Sequence, residues 1–133
     1  MSNFTGTIDS DHDLVAIVDD DDAARDALEF LLNVLGRKSR AFASPAAFLA
    51  VVTDAYRCLL LDQHMPEMTG TELAFRLRSD NNRIPIMLLS GNITPEVRAR
   101  AQEVGIDMIC DKPPESGLVA DFVARALESE FHA

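Results

Sequence analysis

The chain lacks any run near the roughly 18 consecutive apolar residues that a membrane span needs. Its first residues, MSNFTGTIDSDHD, hold neither the basic nor the apolar part of a secretory signal. A soluble, cytoplasmic domain is expected. Cysteine is scarce. Cys58 and Cys110 are the only two, both in apolar stretches, and their spacing fits no zinc or Cys-x-x-Cys redox pattern. That excludes a disulfide framework and predicts buried structural thiols in a reducing compartment. His12, His64 and His132 are scattered, so the sequence offers no zinc-type cluster. Lysine is as rare as cysteine, with Lys38 and Lys112 set against ten arginines. Internal repeats, Gly/Ser linkers and low-complexity segments are absent.

What is present is a chain of 133 residues, 47% of them hydrophobic. That length makes one ordinary domain, and that composition argues against disorder. The formal net charge is −10, and it is unevenly placed, since residues 1–26 carry eight aspartates against Arg25 alone. Such a surface repels phosphate backbones and anionic membranes, so the domain is expected to bind neither nucleic acid nor membrane directly. Residues 1–12 read as a polar acidic leader, 13–130 as the domain and 131–133 as a short tail. A solvated leader accounts for the early aspartates. Asp19 and Asp20 follow an apolar run and need another explanation.

Short apolar runs alternate with helical patterns along the rest of the chain. Leu14–Val18 reads as a buried strand. Ala24, Leu28, Leu31 and Leu35 then recur at helical spacing until Gly36. Arg37–Phe42 has the weakest pattern and reads as an edge strand. Ser44-Pro45 is a cap followed by a first-turn proline, opening a helix over 46–52. Cys58–Leu61 is a strand ending on Asp62, and a loop from Gln63 to Thr69 leads to a helix after Gly70. Ile84–Leu89 is a strand ending on Ser90. Thr94-Pro95 repeats the cap signal for a helix up to Gly105. Met108–Cys110 is a short strand before Asp111 and Lys112, and Leu118, Phe122, Val123, Ala126 and Leu127 mark a closing helix. Buried strands alternating with amphipathic helices predict a parallel sheet covered on both faces. At this size the expected fold is the α/β doubly wound, flavodoxin-like single domain with strand order 2-1-3-4-5.

In that fold ligands bind outside the carboxyl ends of the strands. Strand one delivers Asp19 and Asp20 there, strand three Asp62, strand four Ser90 and strand five Lys112. Crowded carboxylates repel one another unless a cation sits among them, and all-oxygen ligation suits Mg²⁺. A carboxylate beside such an ion can attack a phosphoryl group in line and form an acyl phosphate. The metal and a lysine ammonium share the charge on the transferred oxygens, and a serine hydroxyl can hydrogen-bond one of them. These residues therefore point to an aspartate phosphoacceptor. Capping of the first helix is the simpler use of Asp19 and Asp20, but Asp21 or Asp22 fills that role.

The pieces Ile17-Val-Asp-Asp20, Leu60-Leu-Asp62 with Met65-Pro66, Met68 and Gly70, Leu88-Leu-Ser90-Gly91, and Asp111-Lys112-Pro113 come in order, each at a predicted strand end. Together they resemble the receiver domain of bacterial two-component response regulators over nearly the whole chain. The resemblance implies that Asp62 is the phosphoacceptor, that Asp20 binds Mg²⁺ directly and that Asp19 does so through water. The backbone carbonyl of His64 is a further implied ligand. Ser90 is the implied switch hydroxyl, Gly91 lends its backbone amide to the phosphoryl group, Lys112 ion-pairs with it, and Pro113 follows a cis peptide bond. The implied partners are a cognate histidine kinase or phosphotransfer protein and a downstream protein target or an output domain. A phosphorylation-dependent homodimer also belongs to this picture. Catalysis beyond self-phosphorylation and self-dephosphorylation is not expected.

The sequence departs from the family pattern at three places. Ile109 stands where an aromatic residue is usual, Pro114 follows Lys112-Pro113, and Gln63-His64 is a less usual pair after Asp62. A β-branched isoleucine has few conformers to display, so signal is expected to travel through the loop Gly91–Thr94 and the helix from Pro95. His64 itself reads as an incidental surface residue. An aspartate-nucleophile phosphatase would carry a second Asp at position 64, and a flavodoxin-type module would need a Ser/Thr/Gly loop after strand one. Two readings of output remain: a single-domain regulator acting by protein contact, and the N-terminal receiver of a longer DNA-binding regulator.

Overall fold

The apolar runs become five strands: β1 (Leu14–Val18), β2 (Ser39–Phe42), β3 (Tyr56–Asp62), β4 (Ile86–Ser90) and β5 (Met108–Asp111). They alternate with α1 (Asp22–Val34), α2 (Pro45–Leu49), α3 (Gly70–Ser79), α4 (Pro95–Glu103) and α5 (Ser116–Ser129). The structure is a computed structural model that describes residues 12–129. The leader before His12, the tail and His132 lie outside the described residues. All strand pairs are parallel, in the order β2-β1-β3-β4-β5, as the alternation predicts. Among the described residues no helix is long and apolar enough to cross a membrane.

The three central strands are buried on both faces, and their alternate residues feed two separate cores. Ala16, Val18, Leu59, Leu61, Ile86 and Leu88 face Phe48 of α2, Leu73, Ala74 and Leu77 of α3, and Ala101 of α4. Val15, Ile17, Cys58, Leu60, Met87 and Leu89 face Leu28 and Leu32 of α1 and Val119, Phe122, Val123 and Ala126 of α5. Both cysteines are free and buried as predicted, and burial pushes the Cys58 thiol up to about 12.

Several boundaries differ from the sequence reading, each for a local reason. The helix expected over 46–52 stops at Leu49 because its last turn tightens: the Ala50 amide reaches Ala46 O, and the Val51 amide reaches Phe48 O. Strand β4 begins at Ile86 rather than Ile84. Pro85 has no N–H to give, so only its carbonyl joins the sheet, accepting from Leu59 N–H at 2.9 Å. Strand β3 starts two residues earlier than expected, at Tyr56, whose ring packs edge-on against Phe42 and Phe48. Helix α3 opens with a reciprocal cap, the Thr69 hydroxyl taking Glu72 N–H and the Glu72 carboxylate taking Thr69 N–H. Thr69-x-x-Glu72 carried that signal in the sequence.

Candidate functional site

Register decides what meets at the carboxyl edge of the sheet. Val18 pairs with Leu61, so Asp19 and Asp62 continue adjacent strands side by side. Asp62 pairs with Leu89, and Ser90 pairs with Asp111, which puts Lys112 one residue past the edge. Asp19, Asp20 and Asp62 each present a carboxylate oxygen within 4.8 Å of the others. Asp19 and Asp62 are buried, whereas Asp20 is exposed. The Lys112 ammonium lies 2.8 Å from Asp19 Oδ2 and 3.2 Å from Asp62 Oδ1. The peptide between Lys112 and Pro113 is cis.

The surrounding backbone holds these groups in place. Asp21 N–H donates to Asp19 Oδ1 at 2.9 Å, and the Asp21 side chain caps α1 by accepting from Ala24 N–H. Arg25, one turn into α1, reaches back to donate to the Asp19 carbonyl at 2.8 Å and also pairs with Asp22. His64 N–H lies 3.4 Å from Asp62 Oδ1, a long contact. The loop after β3 is fastened by Gln63, a buried side chain that accepts from Thr71 N–H at 2.9 Å while Gly70 N–H donates to its carbonyl at 3.0 Å. Gly70 is required at that point, since a Cβ there would stand 2.6 Å from the Asp62 carbonyl oxygen.

The electrostatics are those of too much negative charge in too little water. Burial first, and the Asp19 carboxylate second, push the Asp62 carboxyl above the usual carboxylate range, against the pull of Lys112 and the His64 amide. For Lys112 partial burial opposes the charged form, but its contacts with Asp19 and Asp62 outweigh this and raise its pKa. One ammonium balances one of three carboxylates. Asp19 Oδ2, buried and ion-paired with Lys112, still receives no aligned hydrogen bond. Three carboxylates that present oxygens within 4.8 Å of one another, with surplus negative charge, are what a hard divalent cation fits.

The raised Asp62 pKa makes a stability prediction. A carboxyl that holds its proton more tightly when folded makes stability decline as pH rises from the ordinary carboxylate range through its folded value. Asp62→Asn removes that cost. In metal-free buffer at pH 7 the variant should be more stable than the wild type by about 1 kcal/mol, roughly 3 °C in Tm. The difference should close in acid, where the wild-type carboxyl is protonated. Thermal melts at both pH values check this, and a variant Tm at or below wild type at pH 7 would contradict it.

The structure thus brings Asp19, Asp20, Asp62 and Lys112 together as the sequence reading required. Ser90 is buried at the end of β4, but its hydroxyl is engaged elsewhere, with Asn92 N–H at 3.1 Å and with His64 Nε2 at 3.2 Å. The reading of His64 as incidental needs correction. His64 is an exposed loop residue, as read, yet its ring nitrogen lies 3.2 Å from Ser90 Oγ, a contact made across 26 residues of sequence. The supporting roles of Gln63, Arg25 and Gly70 were also missed.

Known proteins are similar to this chain in sequence and in fold. Residues 15–123 match the family model of the response regulator receiver domain. The chain is 36% identical over 101 residues to the response regulator protein TmoT of Ectopseudomonas mendocina, covering 75% of this chain and 46% of that protein. It is 28% identical over 114 residues to the transcriptional regulatory protein FixJ of Bradyrhizobium diazoefficiens, covering 85% of this chain and 56% of that protein. It therefore spans about half the length of these curated relatives. The crystal structure of FixJ-N is similar with a TM-score of 0.78 at 31% identity, over 86% of this chain and 93% of that one. With the family model matched over most of its length, this chain belongs to the response regulator receiver domain family.

Proposed function

We propose that this receiver accepts a phosphoryl group on Asp62 from a histidine kinase, a phosphotransfer protein or acetyl phosphate. The observation that carries the reading is the buried Asp62 carboxylate held 3.2 Å from the one ammonium of an otherwise acidic pocket. An Asp62 oxygen attacks phosphorus, the bond from phosphorus to the donor atom breaks, and the donor departs with that electron pair. The product is an acyl phosphate on Asp62. Lys112 follows the charge from carboxylate to phosphoryl oxygen, Gly91 N–H turns toward the same group, and the Ser90 hydroxyl donates to it.

Receiver domains generally bind Mg²⁺ at an acidic pocket, and the aspartate cluster here fits one. Asp20, Asp62 and the His64 carbonyl would hold it, with Asp19 acting through water; when bound it neutralises charge on the transferred oxygens. Asp20 is the exposed carboxylate, whereas both Asp19 oxygens already face the Asp21 amide or Lys112. Intact-mass spectrometry tests the reading: one added phosphoryl group with acetyl phosphate and Mg²⁺, and none in excess chelator. In a Mg²⁺ titration Asp20→Ala should weaken binding more than Asp19→Ala, because only Asp20 of the two is assigned to direct ligation. Phosphoryl uptake indifferent to chelator would defeat the metal assignment, and equal losses in the titration would defeat the division between the two aspartates.

Curated relatives named transcriptional regulatory proteins support one further reading, that the conformational signal is passed to a DNA-binding segment of the same protein. Sequencing the encoding gene past the codon for Ala133 tests it. A stop codon there would leave signalling by contact with a separate protein.

A further inference from the structure

The His64 ring has no part in the phosphoacceptor reading, yet it touches the site's serine. Its Nε2 lies 3.2 Å from Ser90 Oγ, and Asn92 N–H donates to the same oxygen at 3.1 Å. Ser90 is 0% exposed. A hydroxyl has one proton and two lone pairs. Asn92 takes a lone pair, so the proton still needs an acceptor, and a buried hydroxyl proton left without one is costly. Among the described residues the acceptor within reach is the imidazole nitrogen.

We infer that Ser90 donates its proton to His64 Nε2, and that this hydrogen bond is the catch that holds the unphosphorylated form. The inference rests on the reading of Asp62 as phosphoacceptor and Ser90 as the hydroxyl that answers it. Strand alternation shows why a catch is useful. Ser90 shares the parity of Ile86 and Leu88, which face α3 and α4, whereas Asp62 shares the parity of Leu60, which faces α1 and α5. The two groups approach the top of the sheet from different sides. A phosphoryl group on Asp62 offers charged oxygens, which bind a hydroxyl proton more strongly than a neutral ring nitrogen does. One proton cannot serve both acceptors. As Ser90 turns to the phosphoryl group it leaves the ring, and the exposed His64 side chain is released to a new position. His64 is thus a positioning residue that acts through Ser90, and its release changes the outer surface of the loop after β3.

The test follows the ring itself. Protein labelled with ¹⁵N-histidine is examined with Mg²⁺, before and after addition of beryllofluoride as phosphate mimic, and the His64 signals are identified by their loss in His64→Ala. Before addition, Nδ1 should carry the proton and Nε2 should show the shift of a hydrogen-bonded acceptor. After addition, the Nε2 signal should move toward that of a solvated ring as the amides of Gly91–Thr94 shift. His64→Ala and His64→Phe, neither of which offers an acceptor, should bind beryllofluoride about fivefold more tightly, the factor for one net hydrogen bond no longer to be broken. If the amides shift while the ring signals stay still, or if both variants bind with wild-type affinity, the catch is overturned and the phosphoacceptor reading stands. If wild type shows no response anywhere, the phosphoacceptor reading fails and takes the catch with it.

Discussion

Asp62→Asn should take up no phosphoryl group under conditions in which the wild type, with acetyl phosphate and Mg²⁺, takes up one. The substitution keeps the shape of the side chain, so the contacts of Lys112 and the His64 amide to the Oδ1 position survive. What it removes is the anion. A neutral amide oxygen is a poor nucleophile and cannot form a stable acyl phosphate, so the loss is in the chemistry and not in the fold. The loss should also exceed any produced by the neighbouring carboxylates. Asp19 is buried with its oxygens turned to the Asp21 amide and Lys112, and Asp20 is exposed at the rim. Intact-mass spectrometry should show the phosphoryl increment falling below about one hundredth of wild type. Uptake at the wild-type level would move the acceptor to another residue.

Gly70→Ala should be the most damaging small substitution near the site. A Cβ at this position would stand 2.6 Å from the Asp62 carbonyl oxygen, 2.6 Å from Leu88 Cδ1 and 3.1 Å from Gln63 Cα. Leu88 is 0% exposed and has no space to yield, and the other two atoms are backbone. Overpacking of this kind costs about 3 kcal/mol, the upper end of the usual range, or roughly 9 °C in Tm. The strain falls on the residue that carries Asp62, so phosphoryl uptake should slow in the molecules that remain folded. Gly117→Ala is the control, because a Cβ there meets nothing within 4 Å, and alanine in a helix is stabilising by about 0.5 kcal/mol. Urea denaturation of the two variants checks the contrast. Gly70→Ala with a wild-type midpoint would mean that the loop after β3 yields freely.

Much of this site is legible in the sequence, for a simple reason. A parallel sheet places the residue after each apolar run at one edge, so Asp19, Asp62, Ser90 and Lys112 were brought together by counting. Caps were legible for the same local reason, as with Ser44-Pro45 and Thr94-Pro95. Strand β2 was harder, because its residues are only half-buried or exposed and their pattern is correspondingly weak. The contacts that hold the site were not legible at all. Arg25 on the Asp19 carbonyl, Gln63 on Thr71 and His64 on Ser90 depend on where a loop turns, and neither composition nor period records that. Gly70 stands in the sequence as a helix boundary and as part of the motif after Asp62, but its steric role is hidden there, since the close approach of the Asp62 carbonyl exists only once β3 and α3 are packed.

The division of the interior into two cores has a consequence for where the molecule can give way. The layer beneath Asp19 and Asp62 is anchored by long helices, with Leu28, Leu32, Val119 and Val123 among its buried residues. On the other side α4 has a single buried residue, Ala101. Helices fastened so thinly open locally at a small fraction of the global unfolding energy. Helix α4 can therefore yield while α3, with Leu73, Ala74 and Leu77 buried on the same side, stays packed. A disturbance at the end of β4 then spends itself on α4 and leaves the footing of Asp62 undisturbed.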